Sequence, residues 1–373
     1  MTRFSDIKIH DTTLRDGEQM PGVVFDFNEK IKLAEKIMQF DADLIDIMPV
    51  VSDSEFRVTK ELTDMFGDKV SATCRIKKSD VDIAMDAGAE RVTLFTPLSD
   101  LHITHKLRIS REENLKKTSE MVDYARAHGL IVDFAGEDTS RADFNYFKRF
   151  LKEIHNRISV FFIADTVGCL TPKSTRNLVS YLKKNLNCQV GIHTHNDFGM
   201  ATANAVEGVL AGADYFSGTF TGIGERAGNA AIEEVCIALK HLHGRDLKVK
   251  SEMLLEICDM VQEFSGVKIQ RHKPVIGENA FAHESGIHVD GVLKDPRTYE
   301  FFEPESVGQK RKICMGKHSG RSILKHMFGG GILQDSSVAI KEIKAIYEAK
   351  DVPFSRKDAA IKLSWVKKRL VTV

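Results

Sequence analysis

Residues 7–48 read IKIHDTTLRDGEQMPGVVFDFNEKIKLAEKIMQFDADLIDIM, and two different periodicities lie inside that one stretch. The ends, 7–10 and 44–48, are short branched and apolar runs of strand character. Between them Ile31, Ala34, Ile37 and Met38 recur at helical spacing, which predicts a helix over 29–40 with Asn28 as its cap. Strand, helix, strand in immediate succession is the signature of parallel strands joined by a crossover helix.

The same alternation continues outward from this stretch. Further strands are expected at 70–75, 91–95, 131–134, 160–164, 189–193 and 215–219. With the first two they number eight, which closes a barrel. Gly129 ends a helix that begins near Arg111, and Pro172 after Thr171 opens another. The expected fold class is therefore α/β, a (β/α)8 TIM barrel with a C-terminal helical cover subdomain. Past a last barrel helix at 230–242 and a further one at 252–264, the rhythm changes. Residues 272–320 are rich in Gly and His without clear periodicity, too long for an ordinary loop and better read as a cover over the site. Two more helices are expected around 338–349 and 356–370. The implied division is 1–270 for the catalytic barrel, 271–325 for the cover and 326–373 for C-terminal helices.

A chain of 373 residues, 42% of them hydrophobic, can bury one barrel-sized core and still leave such appendages. Lys plus Arg equal Asp plus Glu at 53 each, so no overall field recruits nucleic acid or an anionic membrane, and the expected partners are small molecules. No apolar run is long enough to span a bilayer and none reads as a signal core, so a cytoplasmic protein is expected. Six separated cysteines without a C-x-x-C pair are expected to be reduced thiols.

The unusual polar residues fall just past the carboxyl ends of the expected strands, where such barrels gather their catalytic groups. DTTLRDGEQ (11–19) follows the first strand, Arg75 ends the third, Glu137 follows the fifth, Thr166 the sixth, and GIGERAGN (222–229) the eighth. His193-Thr194-His195 ends the seventh, and the period of two turns both imidazoles to one side. Imidazole and carboxylate together suit several divalent ions, with Asp16 as the acidic partner across the mouth. The competing reading is a pair of hydrogen-bonded rim histidines. Arg15 could face an oxygen that gains charge, or staple the first strand to the eighth. Glu137 is a candidate base or a helix cap, a task open equally to Asp138, Thr139 or Ser140. Arg75 could hold a second substrate carboxylate or sit in a barrel-end ion pair. Thr166 and the glycine-rich turn each have a purely structural alternative.

These residues resemble the DRE-TIM metallolyases, on the branch of the 2-isopropylmalate, citramalate, homocitrate and Re-type citrate synthases. The resemblance spans nearly the whole chain: DTTLRDGEQ, GIHTHNDFG (191–199), GIGERAGN, FAHESGIHVDG (281–291), DPRTYE (295–300) and GKHSG (316–320), in that order. It implies that Asp16, His193 and His195 are ligands of a divalent metal ion (Mg, Mn or Zn), with Asn229 in or near the coordination sphere. It implies that Arg15 stabilises the oxyanion, that Thr166 touches the substrate carboxylate, and that Glu137, His288 and Tyr299 serve proton transfers. It further implies a homodimer whose cover segments reach across to the partner barrel. The implied reaction joins acetyl-CoA to a 2-oxo acid and then hydrolyses the thioester. The base is left between Glu137 and His288.

GEDTSRAD (136–143) and the run 288–300 resemble homocitrate synthases of the nitrogenase-associated type, which makes 2-oxoglutarate the expected acceptor and Arg75 the candidate for its distal carboxylate. The 53 residues after Gly320 are too few for the long regulatory domain usual in isopropylmalate enzymes. SDLHITHKL (99–107) instead resembles isopropylmalate and citramalate synthases, so these and Re-type citrate synthase remain alternatives. A 3-hydroxy-3-methylglutaryl-CoA lyase would carry a glycine-flanked cysteine in 222–229, which is missing. A non-catalytic metal-binding barrel would not need Glu137, His288 and Tyr299 together.

Overall fold

The computed structural model describes residues 7–245 and 247–328, together with isolated helical positions between 340 and 348. The eight strands are β1 (Lys8–Asp11), β2 (Leu44–Ile47), β3 (Val70–Arg75), β4 (Arg91–Pro97), β5 (Ile131–Glu137), β6 (Val160–Asp165), β7 (Gln189–Thr194) and β8 (Tyr215–Gly218). All pair in parallel with their sequence neighbours, and β1 also pairs with β8, His10 opposite Ser217, so the sheet is a closed TIM barrel. β4 and β5 run two or three residues further than expected, which carries Glu137 to the tip of its strand.

Alternation along β6 shows how the core is built. Val160 and Phe162 join Leu44 and Tyr215 in one apolar cluster, while Phe161, one step out of phase, packs between Phe134 and Phe147. Each such aromatic contributes about 1.5–3 kcal/mol by leaving water.

Helix α1 (Phe27–Gln39) begins earlier than expected, and its cap is Asp26, not Asn28. The Asp26 carboxylate accepts the Glu29 N–H at 2.8 Å and the Glu29 carboxylate accepts the Asp26 N–H at 2.8 Å. This capping box satisfies two orphan donors at once, and Asn28 falls inside the first turn. Helix α2 (Asp53–Phe66) packs alongside, capped by Ser52. On the buried face of α1, Leu33, Ala34 and Ile37 are joined by Lys30, whose ammonium pairs with Glu18 at 2.5 Å and with Glu55 of α2. That pairing fastens both helices to the turn leaving β1.

The remaining barrel helices are α3 (Lys78–Asp86), α4 (Arg111–Ala127), α5 (Phe144–Ile154), α6 (Pro172–Asn185), α7 (Ala201–Leu210) and α8 (Ile232–His243). Thr171 and Pro172 open α6 as expected. Helix α9 (Leu254–Ser265) follows a short turn of 3-10 helix and ends on Gly266 in the left-handed conformation. Among the described residues no helix is long and apolar enough to cross a membrane.

The chain divides into two compact units, Met1–Ile269 and Gln270–Val373. Among the described residues of the second, β9 (Ala282–His283) pairs in parallel with β10 (Lys312–Ile313), accompanied by α10 (Gly286–Lys294) and α11 (Arg321–Phe328). Glu300 is buried there, accepting from Arg311 at 2.6 Å and lying 3.0 Å from His283. Apart from the isolated positions named above, the helices expected at 338–349 and 356–370 lie outside the described residues.

Candidate metal centre and active site

The carboxyl ends of the strands enclose a cavity of about 370 Å³. Asp16, in the turn after β1, meets His193 and His195 of the H-x-H at the end of β7, and one donor atom from each lies within 4.8 Å of the others. The two Nε2 atoms are 3.2 Å apart, and Asp16 Oδ2 is 3.7 Å and 4.0 Å from them. Two nitrogens each about 2.1 Å from one ion are separated by about 3.0–3.4 Å between octahedral and tetrahedral angles, so the imidazole spacing fits a shared ion.

Electrostatics prepares the same three groups. Burial acts to raise the Asp16 carboxyl, but the Arg15 guanidinium, then His193 and His195, outweigh it and hold the group well below the usual carboxylate range. Burial and the adjacent His195 push His193 far down, and burial lowers His195. An ionised carboxylate beside two neutral imidazoles is the protonation state that metal binding requires. Ser217 Oγ, 3.0 Å from His193 Nδ1, fixes that ring from behind.

Asn229 completes the arrangement. Its Nδ2 donates to Asp16 Oδ1 at 2.8 Å and to the Ile223 carbonyl at 3.1 Å, which leaves Oδ1 buried without a hydrogen-bond partner among the described residues. A buried carbonyl oxygen without a donor is costly, and a cation at this place would satisfy it. The glycines of GIGERAGN make the approach feasible. At Gly224, φ +151, a Cβ would lie 2.8 Å from Asp16 Oδ1 and closer still to Asn229 Nδ2. Gly228, φ +88, likewise leaves no room over the Gly222 carbonyl.

Arg15 donates from Nη1 to Asp16 at 2.8 Å and from Nε to Asp46 at 2.7 Å. Its structural link is thus to β2 rather than to β8. Glu137 stands in the cavity wall, its Oε1 2.7 Å from His102 Nδ1 and both its oxygens accepting from Lys106 at 2.8 and 2.9 Å. It caps no helix. Asp138 beside it takes the left-handed conformation, is held by Ser99 and Arg141, and Asp143 caps α5 instead. Three residues of SDLHITHKL, Ser99, His102 and Lys106, therefore all serve to seat Glu137 and Asp138. Thr166 lines the cavity, accepting the Asp138 N–H at 2.9 Å, and its own carbonyl accepts from Arg226 at 2.6 Å.

Arg75 does not reach the cavity. Its Nε and Nη2 grip the Asp80 carboxylate at 2.6 and 3.0 Å, and the side chain is 46% exposed. Asp80 is buried in the first turn of α3 and needs that cation, so the barrel-end ion pair prevails over a substrate role. His288 and Tyr299 lie in the second unit, exposed, with their rings stacked at 4.0 Å. Two further polar residues, His10 and Asp46, are buried in the cavity wall without having been among the expected site residues. Each had a signal, a polar residue interrupting an apolar strand.

Residues 6–261 match the HMGL-like family, and residues 275–351 match the family described as homocitrate synthase post-HMGL domain-like. A 2-isopropylmalate synthase of Sulfolobus acidocaldarius is 41% identical, covering 98% of this chain and 97% of that protein. Homocitrate synthase AksA of Methanothermobacter thermautotrophicus is also 41% identical, over 87% of this chain and 84% of its own length. The (R)-citramalate synthase of Methanocaldococcus jannaschii is 40% identical over 92% of this chain and 70% of its own. Among solved structures, the HMG-CoA lyase of Bacillus subtilis shares the fold, with a TM-score of 0.64 at 19% identity, over 71% of this chain and 96% of that one. The chain belongs to the HMGL-like family of DRE-TIM metallolyases, on the branch of the 2-isopropylmalate, citramalate and homocitrate synthases.

Proposed function

We propose that this enzyme condenses acetyl-CoA with a 2-oxo acid and then hydrolyses the thioester, using a divalent ion held by Asp16, His193 and His195 with Asn229 Oδ1 beside it. The observation that carries the reading is the close set of Asp16, two neutral imidazoles and an unpartnered amide oxygen in a cavity that also contains Arg15 and Glu137. A bound ion supplies a Lewis acid for the 2-oxo carbonyl. Arg15, fixed by two carboxylates, presents its remaining N–H groups to the oxygen that becomes anionic. Thr166 contacts the substrate carboxylate. Glu137, steadied by His102 and Lys106, takes a proton from the acetyl methyl group. His288 and Tyr299 serve the later proton transfers, carried by the 271–325 segment to the barrel of a second copy in a homodimer.

The favoured acceptor is 2-oxoglutarate, on the likeness of GEDTSRAD and of 288–300 to homocitrate synthases; the branched and short 2-oxo acids are the alternatives. Thiol release from acetyl-CoA against a panel of 2-oxo acids tests the reading. Release should depend on the 2-oxo acid and stop on chelation. Absence of release with every acceptor in metal-loaded protein would overturn it.

A further inference from the structure

His10 ends the run IKIH on β1 and is 3% exposed, yet it belongs to the cavity wall. Its ring lies 4.7 Å from that of Phe162, and both of its nitrogens are buried without a hydrogen-bond partner among the described residues. Burial, with the fields of Arg15 and Arg91, pushes the imidazole down to about 3, so at neutral pH it offers one N–H donor and one lone pair. Packing does not call for such a group, since Phe162 beside it is apolar. Leaving both nitrogens idle is costly, so a polar partner enters when the cavity is filled. The cations that could compete for a substrate's far end are engaged: Arg75 with Asp80, Lys106 with Glu137 and Arg226 with Asp197.

We propose that His10 is a specificity-determining residue whose ring N–H receives an oxygen at the far end of the acceptor, selecting a 2-oxo dicarboxylate over a 2-oxo acid that ends in an alkyl group. The inference rests on the condensing reading above and deepens it. A site that offers a buried donor rejects an analogue without an acceptor atom, because the donor is then left unpaired.

The test compares 2-oxoglutarate with 2-oxoisovalerate in wild type, His10→Phe and His10→Asn, by kcat/KM and by calorimetric titration of metal-loaded protein without acetyl-CoA. Wild type should favour the dicarboxylate, His10→Phe should shrink that ratio about tenfold or more, and His10→Asn, which keeps a donor, should retain most of it. A ratio in His10→Phe within about twofold of wild type overturns the inference while leaving the condensation intact. If no acceptor is turned over, the condensing reading fails, and the calorimetric ratio still decides the role of His10. His10→Leu replaces the phenylalanine variant should the latter not fold.

Discussion

Lys30→Met keeps the length of a fully buried side chain and removes its charge, leaving the carboxylates of Glu18 and Glu55 facing each other. The Lys30 side chain is 1% exposed, Glu55 12% and Glu18 21%, so the pairs are largely shielded from water. Removing one partner of a buried pair costs about 3–5 kcal/mol. Glu18 has some access to solvent, which places the expected loss near the lower figure, about 3 kcal/mol. At about 2 °C per kcal/mol for a barrel of this size, the unfolding midpoint should fall by about 6 °C, read by calorimetry or circular dichroism. Glu18 lies two residues beyond Asp16, so a chelator-competition titration should also show weaker metal binding. In Lys30→Met/Glu55→Met most of the stability should return, because the cost lies in the stranded charge and not in the loss of the pair itself. A single variant that melts within about 2 °C of wild type would refute the reasoning.

His193→Ala or His195→Ala should purify folded, with a native circular dichroism spectrum, but should bind less than about a tenth of the wild-type metal by elemental analysis; full occupancy would remove these residues from the ligand set. If the 271–325 segment serves a second copy, mixing inactive Glu137→Ala with inactive His288→Ala should restore thiol release, and an active monomer at assay concentration would exclude that exchange. His10 gives a pH signature: its imidazole titrates near 6.5 unfolded and about 3 folded, so its stabilising share is complete above about pH 6.5 and is lost as pH falls towards 3. Between pH 7 and pH 5 wild type should therefore lose about 2 kcal/mol more stability than His10→Phe, measured by urea unfolding, and parallel profiles would contradict a buried neutral ring.

The barrel is legible because its strands and helices differ in period, and the meeting of Asp16 with His193 and His195 is legible because H-x-H and DTTLRDGEQ both fall at strand ends. Direction along a strand, however, does not name a partner. Arg75 was expected at the cavity, and Asp80, five residues on, captures it through a contact that the alternation rule cannot anticipate. Asn28 was a reasonable cap by residue type, but reciprocity with Glu29 favours Asp26. Lys30 lies on the buried face of α1, where a charged residue is unexpected, and only the three-dimensional meeting with Glu18 and Glu55 explains it. Glu137 was picked out by its position, whereas its attachment to His102 and Lys106 depends on a 35-residue and a 31-residue separation that no local pattern reveals.

Asp16 and Asn229 are hydrogen-bonded across 213 positions of sequence, on either side of the line where β1 meets β8. That contact is among the last that a growing or refolding chain can make, since loop closure over such a span precedes any gain from it. An ion bound by residues 16, 193 and 195 as proposed would meet its full ligand set only after that closure, and so would favour ring-closed molecules in the refolding population. At a free concentration about a thousand times its dissociation constant it would add about 4 kcal/mol to the closed ring alone. The seam is then the place where the proposed ion would act as a latch on the closed barrel.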